Sequence, residues 1–399
     1  MKRVSFQRLA VMFTGCPVED PRPGNIHGDR QPHHKEGPDA GVNVHWLEKQ
    51  ALDRFVDDPN AGGQIPSFLS SLKRATRKRK KMLQDGLVVP PMLILSITQE
   101  CNLACTGCYA AQVGTMKKGQ PSYHPHLNID QWRKIIKEAK ELGVFFFLLA
   151  GGEPFLHPGI LNLIKEFPGN FFLVFTNGVA VSKEHLAELK KLNNLAVILS
   201  LEGGKEETDS RRGRGVYKRV METKAQLILG GTLTGVSVTI TRKNFRYWME
   251  EVNVDSLIAE GIHLGFLMEY IPSNKEEGET LSQEERAQFR EKVLEYRQKK
   301  RIFLIHSPGD EEYAGGCVSA GRGFAHVTPK GFLTPCPVSS FSTHSLLGTP
   351  LKEALSSDFF RLIRESENLL EPEGSPCVLF VHKEEVKKLA ASVGATEAS

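Results

Sequence analysis

Short apolar segments alternate with amphipathic stretches through the middle of the chain. The apolar segments lie at 93–97, 144–150, 171–175, 196–201, 236–240 and 264–268. Stretches with apolar residues at helical spacing lie at 129–142, 159–167, 183–192, 217–229 and 247–259. Near-continuous apolar strands that alternate with such helices predict a parallel sheet covered by helices. Right-handed crossovers in sequential order would curl that sheet into a full or partial barrel.

Less regular regions flank this alternation. Residues 1 to about 65 are interrupted by proline and glycine and predict an extended arm with one helix at 44–56. A helix predicted at 68–83 carries a short apolar side and a run of lysine and arginine. That run is typical of a solvated face; the alternative is a basic amphipathic helix in peripheral contact with anionic lipid or another polyanion. After the last strand, a helix at 282–300 is predicted to begin at Ser282, with Glu285 placed for a capping box.

Polar and glycine residues follow the predicted strands. In a parallel barrel these loops share one rim, where the chemistry collects. The loops contain Cys101, Cys105 and Cys108 after the first strand, Gly151-Gly152-Glu153 after the second, Thr176-Asn177-Gly178 after the third, Ser200 and Glu202-Gly203-Gly204 at the fourth, and Glu269-Tyr270 at the sixth. The glycines permit close approach of a ligand to the backbone.

The spacing C-x3-C-x2-C at Cys101, Cys105 and Cys108 indicates an iron–sulfur cluster. Three thiolates so close together can hold three corners of a four-iron cluster, which leaves one iron open to a small molecule. The alternatives are a zinc knuckle and a set of buried thiols. Zinc sites usually take four protein ligands, and no fourth Cys or His lies within fifteen residues of Cys108.

Composition narrows the class of protein. The 399 residues are 40% apolar and 25% charged, as in an ordinary globular protein, and the net charge of +4 gives no reason to expect nucleic acid. Seven cysteines, three of them in one cluster, favour a reducing cytoplasm over a secreted disulfide framework. No apolar run is long enough to span a bilayer, and the apolar part of the N-terminus is too short for a signal peptide.

Together these residues resemble the radical S-adenosylmethionine (radical SAM) superfamily over roughly residues 91–300. The resemblance implies a partial (β/α)6 TIM-type barrel with a [4Fe–4S] cluster on Cys101, Cys105 and Cys108. It further implies that S-adenosylmethionine (SAM) chelates the open iron and is reductively cleaved to a 5′-deoxyadenosyl radical, which abstracts hydrogen from a substrate. A reductant such as ferredoxin or flavodoxin would supply the electron. The protein's part is to bind, orient and exclude water and oxygen.

The resemblance also implies roles for single residues. Gly151, Gly152 and Glu153 would hold the methionine amino group, Asn177 and Ser200 would contact the ribose or carboxylate, and Arg212 would bind the carboxylate. Arg211 competes with Arg212, and the alternative for both is a solvated helix start. Many relatives carry an aromatic residue directly before the third cysteine, where this chain has Gly107 followed by Tyr109. The side chains near the adenine therefore stay open, with Tyr109, Thr239 and Met268 as candidates.

The C-terminal part resembles the start of the auxiliary-cluster modules called SPASM and twitch. Cys317 and the G-x4-C pair Gly331 and Cys336 carry the resemblance, with a hairpin expected at 325–333, and only Cys377 follows. The resemblance implies one auxiliary [4Fe–4S] cluster on Cys317, Cys336 and Cys377 in a reduced module. The fourth corner would be open to substrate or filled by Cys16, His382 or another residue. Unrelated buried thiols and a zinc site are the alternatives.

These observations predict a radical SAM oxidoreductase or maturase-type enzyme with an N-terminal arm at 1–90, a radical SAM core at 91–300 and an auxiliary-cluster module at 301–399. The substrate is left open among a peptide or protein side chain, a cofactor or tetrapyrrole precursor, and a lipid. The alternative is a non-catalytic iron–sulfur electron-transfer protein that keeps the barrel. Glu269 and Tyr270, at the end of the sixth strand, are candidates for contact with substrate, although a structural role is favoured for each.

Overall fold

The computed structural model describes residues 65–114, 116, 126–272, 279–311, 316–370 and 377–398. Its strands are β1 Met92–Thr98, β2 Phe146–Gly151, β3 Phe171–Thr176, β4 Leu195–Ser200, β5 Thr234–Ile240, β6 Leu264–Glu269, β7 Phe303–Ser307, β8 Phe324–Val327, β9 Leu333–Thr334, β10 Phe341–Ser342 and β11 Thr396–Glu397. Its helices are α1 Ile65–Gln84, α2 Tyr109–Gln112, α3 Ile129–Leu142, α4 Ile160–Lys165, α5 Lys183–Leu189, α6 Lys205–Arg212, α7 Val216–Leu229, α8 Phe245–Met249, α9 Glu251–Ala259, α10 Gln283–Lys299, α11 Leu351–Leu355, α12 Asp358–Glu365, α13 Val378–Val381 and α14 Lys383–Ser392. The predicted helix at 44–56 and Cys16 lie outside the described residues.

The predicted parallel sheet of sequential strands is confirmed. In the described part of the chain β1 to β7 pair in sequence order, each parallel to the next, and β8 and β9 extend the β1 edge. All six predicted strands are present, and helices lie between them as in a partial TIM-type barrel. The seventh parallel strand, β7, was not predicted.

The prediction of a single helix at 247–259 is wrong, because the structure divides these residues between α8 and α9. The backbone of Glu250 is extended, with φ −80° and ψ 119°, and separates α8 from α9. The Tyr296 hydroxyl donates to the carbonyl oxygens of Trp248 and Met249 at 3.1 and 2.9 Å. A side chain from α10 thus satisfies carbonyl groups that a continuous helix would have used. The capping box predicted at Ser282 and Glu285 is confirmed.

The two faces of the sheet bury different side chains. Alternate residues such as Leu93, Leu95 and Ile97 pack outward against the covering helices in the main core. The inward face forms a second apolar cluster, which includes Phe145, Phe171, Leu173, Ile198, Phe266 and Phe303. Helix α1 contributes Leu72 and Ala75 to that cluster, at the end where the strands begin. Helix α1 therefore covers the end of the barrel opposite the rim loops.

The position of α1 limits the surface that this helix can offer to a membrane or another polyanion. Leu72 and Ala75 are buried against the protein, with Leu72 only 2% exposed, whereas Leu83 near the end of the helix is 41% exposed. Contact with anionic lipid or another polyanion would rest mainly on the basic side chains, and it remains a prediction. No helix in the described residues has the length and apolar character needed to cross a membrane.

The C-terminal segment extends the sheet of the barrel. The predicted hairpin is confirmed as β8 and β9, with Gly331 at φ +87° in the turn. Strand β8 lies parallel to β1, and β7 lies parallel to β6, so residues beyond 300 add strands to both edges. The division into 1–90, 91–300 and 301–399 remains a prediction.

Candidate cofactor site at the ends of the strands

The three-cysteine loop leaves β1 at its carboxyl end. Cys101, Cys105 and Cys108 are all half-buried. Burial, together with Glu153 and the other two thiols, raises the pKa of Cys101 to about 11, against a hydrogen bond from the Leu103 backbone. Burial also raises the pKa of Cys105, although the Arg212 and Arg211 guanidinium groups oppose the shift. Thiols in this setting ionise readily only with a cation nearby, which the irons of a cluster would supply.

Two glycines let the second rim loop lie directly on the cysteine loop. A Cβ atom at position 152 would lie 1.9 Å from the carbonyl oxygen of Glu100, and one at position 151 would lie 2.6 Å from that of Thr98. The close approach is fixed by hydrogen bonds from the Gly152 N–H to Thr98 O at 2.8 Å and from the Glu153 N–H to Glu100 O at 2.7 Å. Gly151 and Gly152 therefore have a steric role that any larger residue would abolish.

Glu153 joins the second rim loop to the third. Its carboxylate is 1% exposed and accepts hydrogen bonds from the Phe155 N–H at 3.1 Å, the Thr176 hydroxyl at 2.7 Å and the Asn177 N–H at 2.7 Å. Burial raises the pKa of Glu153 to about 7, and these three bonds oppose the shift. Its expected contact with the methionine amino group remains a prediction, since three donors of the protein already surround the carboxylate.

Asn177 joins the third rim loop to the cysteine loop. Its side-chain amide donates to Asn102 Oδ1 at 2.7 Å and lies 3.9 Å from Cys101 Sγ. Its side-chain oxygen accepts from the Val179 N–H at 2.8 Å. Because both ends of the side chain are engaged, the structure gives Asn177 a role in holding the cysteine loop, beside the predicted contact with SAM.

The fourth rim loop presents two arginines that share one carboxylate. Glu202 Oε1 accepts from Arg211 Nη1 at 2.6 Å and from Arg212 Nε at 2.7 Å, and Oε2 accepts from the Thr239 N–H at 3.2 Å. Burial alone would raise the pKa of Glu202, but Arg212 and Arg211 hold it below its usual value. Two guanidinium groups on one carboxylate leave an excess positive charge near Cys105, which suits an anion.

This geometry overturns the solvated alternative for the two arginines. Arg211 and Arg212 occupy the last turn of α6, with side chains only 17% and 10% exposed. Arg211 also holds the cysteine loop, since its carbonyl oxygen accepts from the Thr106 N–H at 2.9 Å and its guanidinium donates to Gly107 O at 3.3 Å. Sequence reasoning noted Glu202 on the rim but gave it no role, because nothing local indicates that it pairs with residues nine and ten positions later.

The remaining candidates lie near the carboxyl ends of strands or next to the cysteine loop. Ser200, Thr239 and Met268 are half-buried near the carboxyl ends of β4, β5 and β6, and Tyr109 is half-buried at the start of α2. Tyr270 packs on the cysteine loop, where its Cε2 atom lies 2.8 Å from the position that a Gly107 Cβ would take. Gly107 also has φ +64°, so the absence of an aromatic residue there has a steric reason.

Glu269 has a structural role. Its carboxylate pairs with Arg286 Nε at 2.5 Å and with His306 Nε2 at 3.0 Å. Both of these partners lie on elements packed against β6, and Glu269 is 6% exposed. The structural interpretation favoured for this residue is therefore confirmed.

The C-terminal thiols lie near one another and near a carboxylate. Burial raises the pKa of Cys377 to about 12 and raises that of Cys317 and Cys336; the Glu311 carboxylate adds to all three shifts. Burial raises the pKa of Glu311 itself to about 7, against the Arg322 guanidinium. Sequence reasoning missed Glu311, since no spacing signal ties it to the cysteines.

Among the described residues, no three or more His, Cys, Asp or Glu side chains converge as ligands of a single metal ion would. In a four-iron cluster each thiolate binds a different iron, so its ligands need not converge on one point. His382, a candidate for the fourth corner, lies at the start of α14 with Nδ1 3.8 Å from Glu385 Oε2.

The fold and the rim loops define a parallel-stranded α/β protein with a cysteine loop built for a cofactor at the ends of its strands. Residues 95–231 match the family model of the radical SAM superfamily. The part of the chain that carries the cysteine loop and the first rim loops is therefore similar to the radical SAM superfamily.

Several known proteins are similar to this chain. The sporulation killing factor maturation protein SkfB of Bacillus subtilis is 31% identical over 159 residues, which cover 39% of this chain and 37% of SkfB. The AdoMet-dependent heme synthase of Methanosarcina barkeri is 22% identical over 315 residues, covering 70% of this chain and 86% of the synthase. The crystal structure of Streptococcus suis SuiB bound to precursor peptide SuiA superposes with a TM-score of 0.60 at 16% identity, covering 81% and 80% of the two chains. The chain spans less than half the length of the first curated relatives that it matches.

Proposed function

We propose that this protein is a radical SAM enzyme of the maturase or synthase type, which reductively cleaves SAM and uses the resulting 5′-deoxyadenosyl radical to abstract hydrogen from a substrate. The observation that carries the proposal is the cysteine loop held between the other rim loops. Gly152, Glu153, Asn177 and Arg211 each hydrogen-bond to it or to the end of β1 directly before it. An electron-transfer protein would need the cysteines but not the SAM contacts that we propose for this rim.

The three cysteines would hold a [4Fe–4S] cluster, which supplies the electron for SAM cleavage when bound. The residues fit the group: half-buried thiols on a fixed loop, with an excess positive charge from Arg211 and Arg212 beside Cys105. That charge also suits the SAM carboxylate, as proposed for Arg212. Gly151, Gly152 and Glu153 would receive the methionine amino group, Asn177 and Ser200 the carboxylate or ribose, and Tyr109, Thr239 and Met268 the adenine. A low-potential reductant such as ferredoxin or flavodoxin would deliver the electron.

We further propose that Cys317, Cys336 and Cys377 hold an auxiliary [4Fe–4S] cluster. The mutual influence of their buried thiols supports this assignment. Glu311 joins Cys16 and His382 as a candidate for the fourth corner, because its carboxylate acts on all three thiols. An open corner that receives substrate is the other possibility.

A tetrapyrrole substrate and a peptide substrate are the two classes that the relatives suggest. The match to the heme synthase extends over 70% of the chain and therefore well beyond residues 95–231, whereas SkfB matches 39%. This difference in coverage favours a tetrapyrrole or similar cofactor precursor. A direct comparison of iron-bound tetrapyrroles and short peptides as substrates, with 5′-deoxyadenosine formation as the readout, would separate the two classes.

The test of the enzyme proposal is anaerobic reconstitution followed by addition of SAM and dithionite. We expect 5′-deoxyadenosine from the wild type and none after replacement of Cys101, Cys105 and Cys108 with alanine. Replacing Cys317 and Cys336 should leave part of the SAM cleavage but stop substrate turnover. Absence of the nucleoside, with no change in the cluster's EPR signal on addition of SAM, would favour the electron-transfer alternative.

A further inference from the structure

A chain of buried polar side chains runs across β1, β8 and β9. The Ser96 hydroxyl lies 2.8 Å from His326 Nε2, and His326 Nδ1 lies 2.8 Å from the Thr334 hydroxyl. The Thr334 hydroxyl in turn donates to the carbonyl oxygen of Cys336 at 3.2 Å. Ser96, His326 and Thr334 are 1%, 2% and 0% exposed, so no bulk water competes for these bonds.

The hydrogen bond from Thr334 to the Cys336 carbonyl oxygen fixes the direction of the other two bonds. Because the Thr334 O–H is given to Cys336, its oxygen must accept from His326 Nδ1–H. The imidazole is neutral, since burial lowers the pKa of His326 to about 3, and its Nε2 then accepts from the Ser96 O–H. Each side-chain polar atom in the row has at least one partner, and a fully satisfied buried chain of this kind specifies a single arrangement.

The apolar pattern alone does not fix how β8 lies on β1. The two strands pair over only four positions, from Met92 opposite Phe324 to Leu95 opposite Val327. A slip of two residues would keep each side chain on its own face, because side chains alternate with a period of two. A slip toward the start of β1 would nevertheless move His326 by about 6–7 Å away from Ser96. The polar chain therefore distinguishes the two registers, beside contacts at the turn such as the hydrogen bond from the Leu127 N–H to Pro329 O at 2.8 Å.

We propose that His326 is a positioning residue that locks the hairpin carrying Cys336 in register with the strand carrying the cysteine loop. The separation of the two cysteine sites is then set by the row from Ser96 to Cys336. The consequence for electron transfer rests on the proposed function, because it matters only if clusters occupy both sites. Electron transfer falls steeply with distance, so a fixed separation would have a direct effect on turnover.

The test compares His326→Leu, which removes both hydrogen bonds, with His326→Gln, whose amide can donate to one neighbour and accept from the other. In the full chain with both sites reconstituted, pulsed EPR measures the separation of the two reduced clusters. We expect a broadened or shifted distance and a changed potential of the auxiliary cluster in His326→Leu, with recovery in His326→Gln. Thr334→Val removes only the hydroxyl and should change the distance and the potential in the same way as His326→Leu. If His326→Leu does not fold, Thr334→Val serves as the test variant.

The control is His185→Leu, which removes a half-buried imidazole from the capping box of α5, away from β8. It should lower stability without changing the distance. If His326→Leu also kept the wild-type distance and potential, the inference would be wrong, whatever the loss of stability.

A separate outcome would bear on the proposed function alone. If a chain with Cys101, Cys105 and Cys108 replaced by alanine bound no iron, the auxiliary cluster would be refuted. Amide exchange over 324–336 in the cluster-free chain would still decide the register proposal. Faster exchange in His326→Leu, restored in His326→Gln, supports the lock, and equal rates in all three proteins overturn it.

Discussion

Replacement of Gly152 by alanine tests whether the two glycines act by close backbone contact. The new Cβ would lie 1.9 Å from the Glu100 carbonyl oxygen, whereas real Cβ contacts are essentially never shorter than 3.0 Å, so backbone must move by about 1 Å. That movement breaks the bonds from the Gly152 and Glu153 N–H groups to the end of β1. At about 0.5–1.5 kcal/mol for each bond and about 1–3 kcal/mol for overpacking, we expect a loss of about 2–6 kcal/mol.

Urea unfolding of the cluster-free chain measures this free energy, and iron content after reconstitution reports on the cysteine loop. Gly152→Ala should lower both. Gly348→Ala is the matched control, because a Cβ there meets nothing within 4 Å and the backbone needs no glycine. If Gly152→Ala lost no more stability than the control and bound iron fully, the steric account of the rim would be refuted.

Three further substitutions test other parts of the account by urea unfolding of the cluster-free chain. Glu202→Gln leaves two buried guanidinium groups without their carboxylate and should cost about 3–5 kcal/mol, whereas Glu188→Gln on the surface should cost little; equal losses would contradict the charge assignment. Glu153 has a folded pKa of about 7 against a usual 4.5, so its contribution to stability is present below pH 4.5 and is lost as the pH rises toward 7. Glu153→Gln should flatten that part of the profile, and an unchanged slope would assign it to another group. Leu72→Ala should cost about 2–5 kcal/mol if α1 closes the barrel, and a loss no greater than that of Arg77→Ala on its exposed side would refute this packing.

The sequence predicted the strands well for a physical reason. A strand that is buried on both faces must be apolar at nearly every position, so β1 to β6 were visible as short runs between helical patterns. Strand β7 has the same character at Phe303–Ser307, but it follows directly on the long helix α10 and was not recognised. The pairing of β8 with β1 joins residues more than 200 positions apart, and no local signal encodes such a contact.

The candidate site was predictable in part. The cysteine spacing and the Gly-Gly-Glu sequence identified the rim, because both the ligand set and the glycines are local features. Three other features depend on tertiary contacts. Two arginines share Glu202, Tyr270 packs against Gly107, and Glu311 lies near the C-terminal thiols. Such contacts arise from how the loops meet, which the sequence of any one loop does not specify.

The most direct test of the central claim is the amount of 5′-deoxyadenosine formed by the anaerobically reconstituted protein with SAM and dithionite. We expect the nucleoside from the wild type and from a chain lacking Cys317 and Cys336, and none from a chain lacking Cys101, Cys105 and Cys108. If a wild-type protein with a full complement of iron formed no nucleoside, the proposed reductive cleavage of SAM would be wrong.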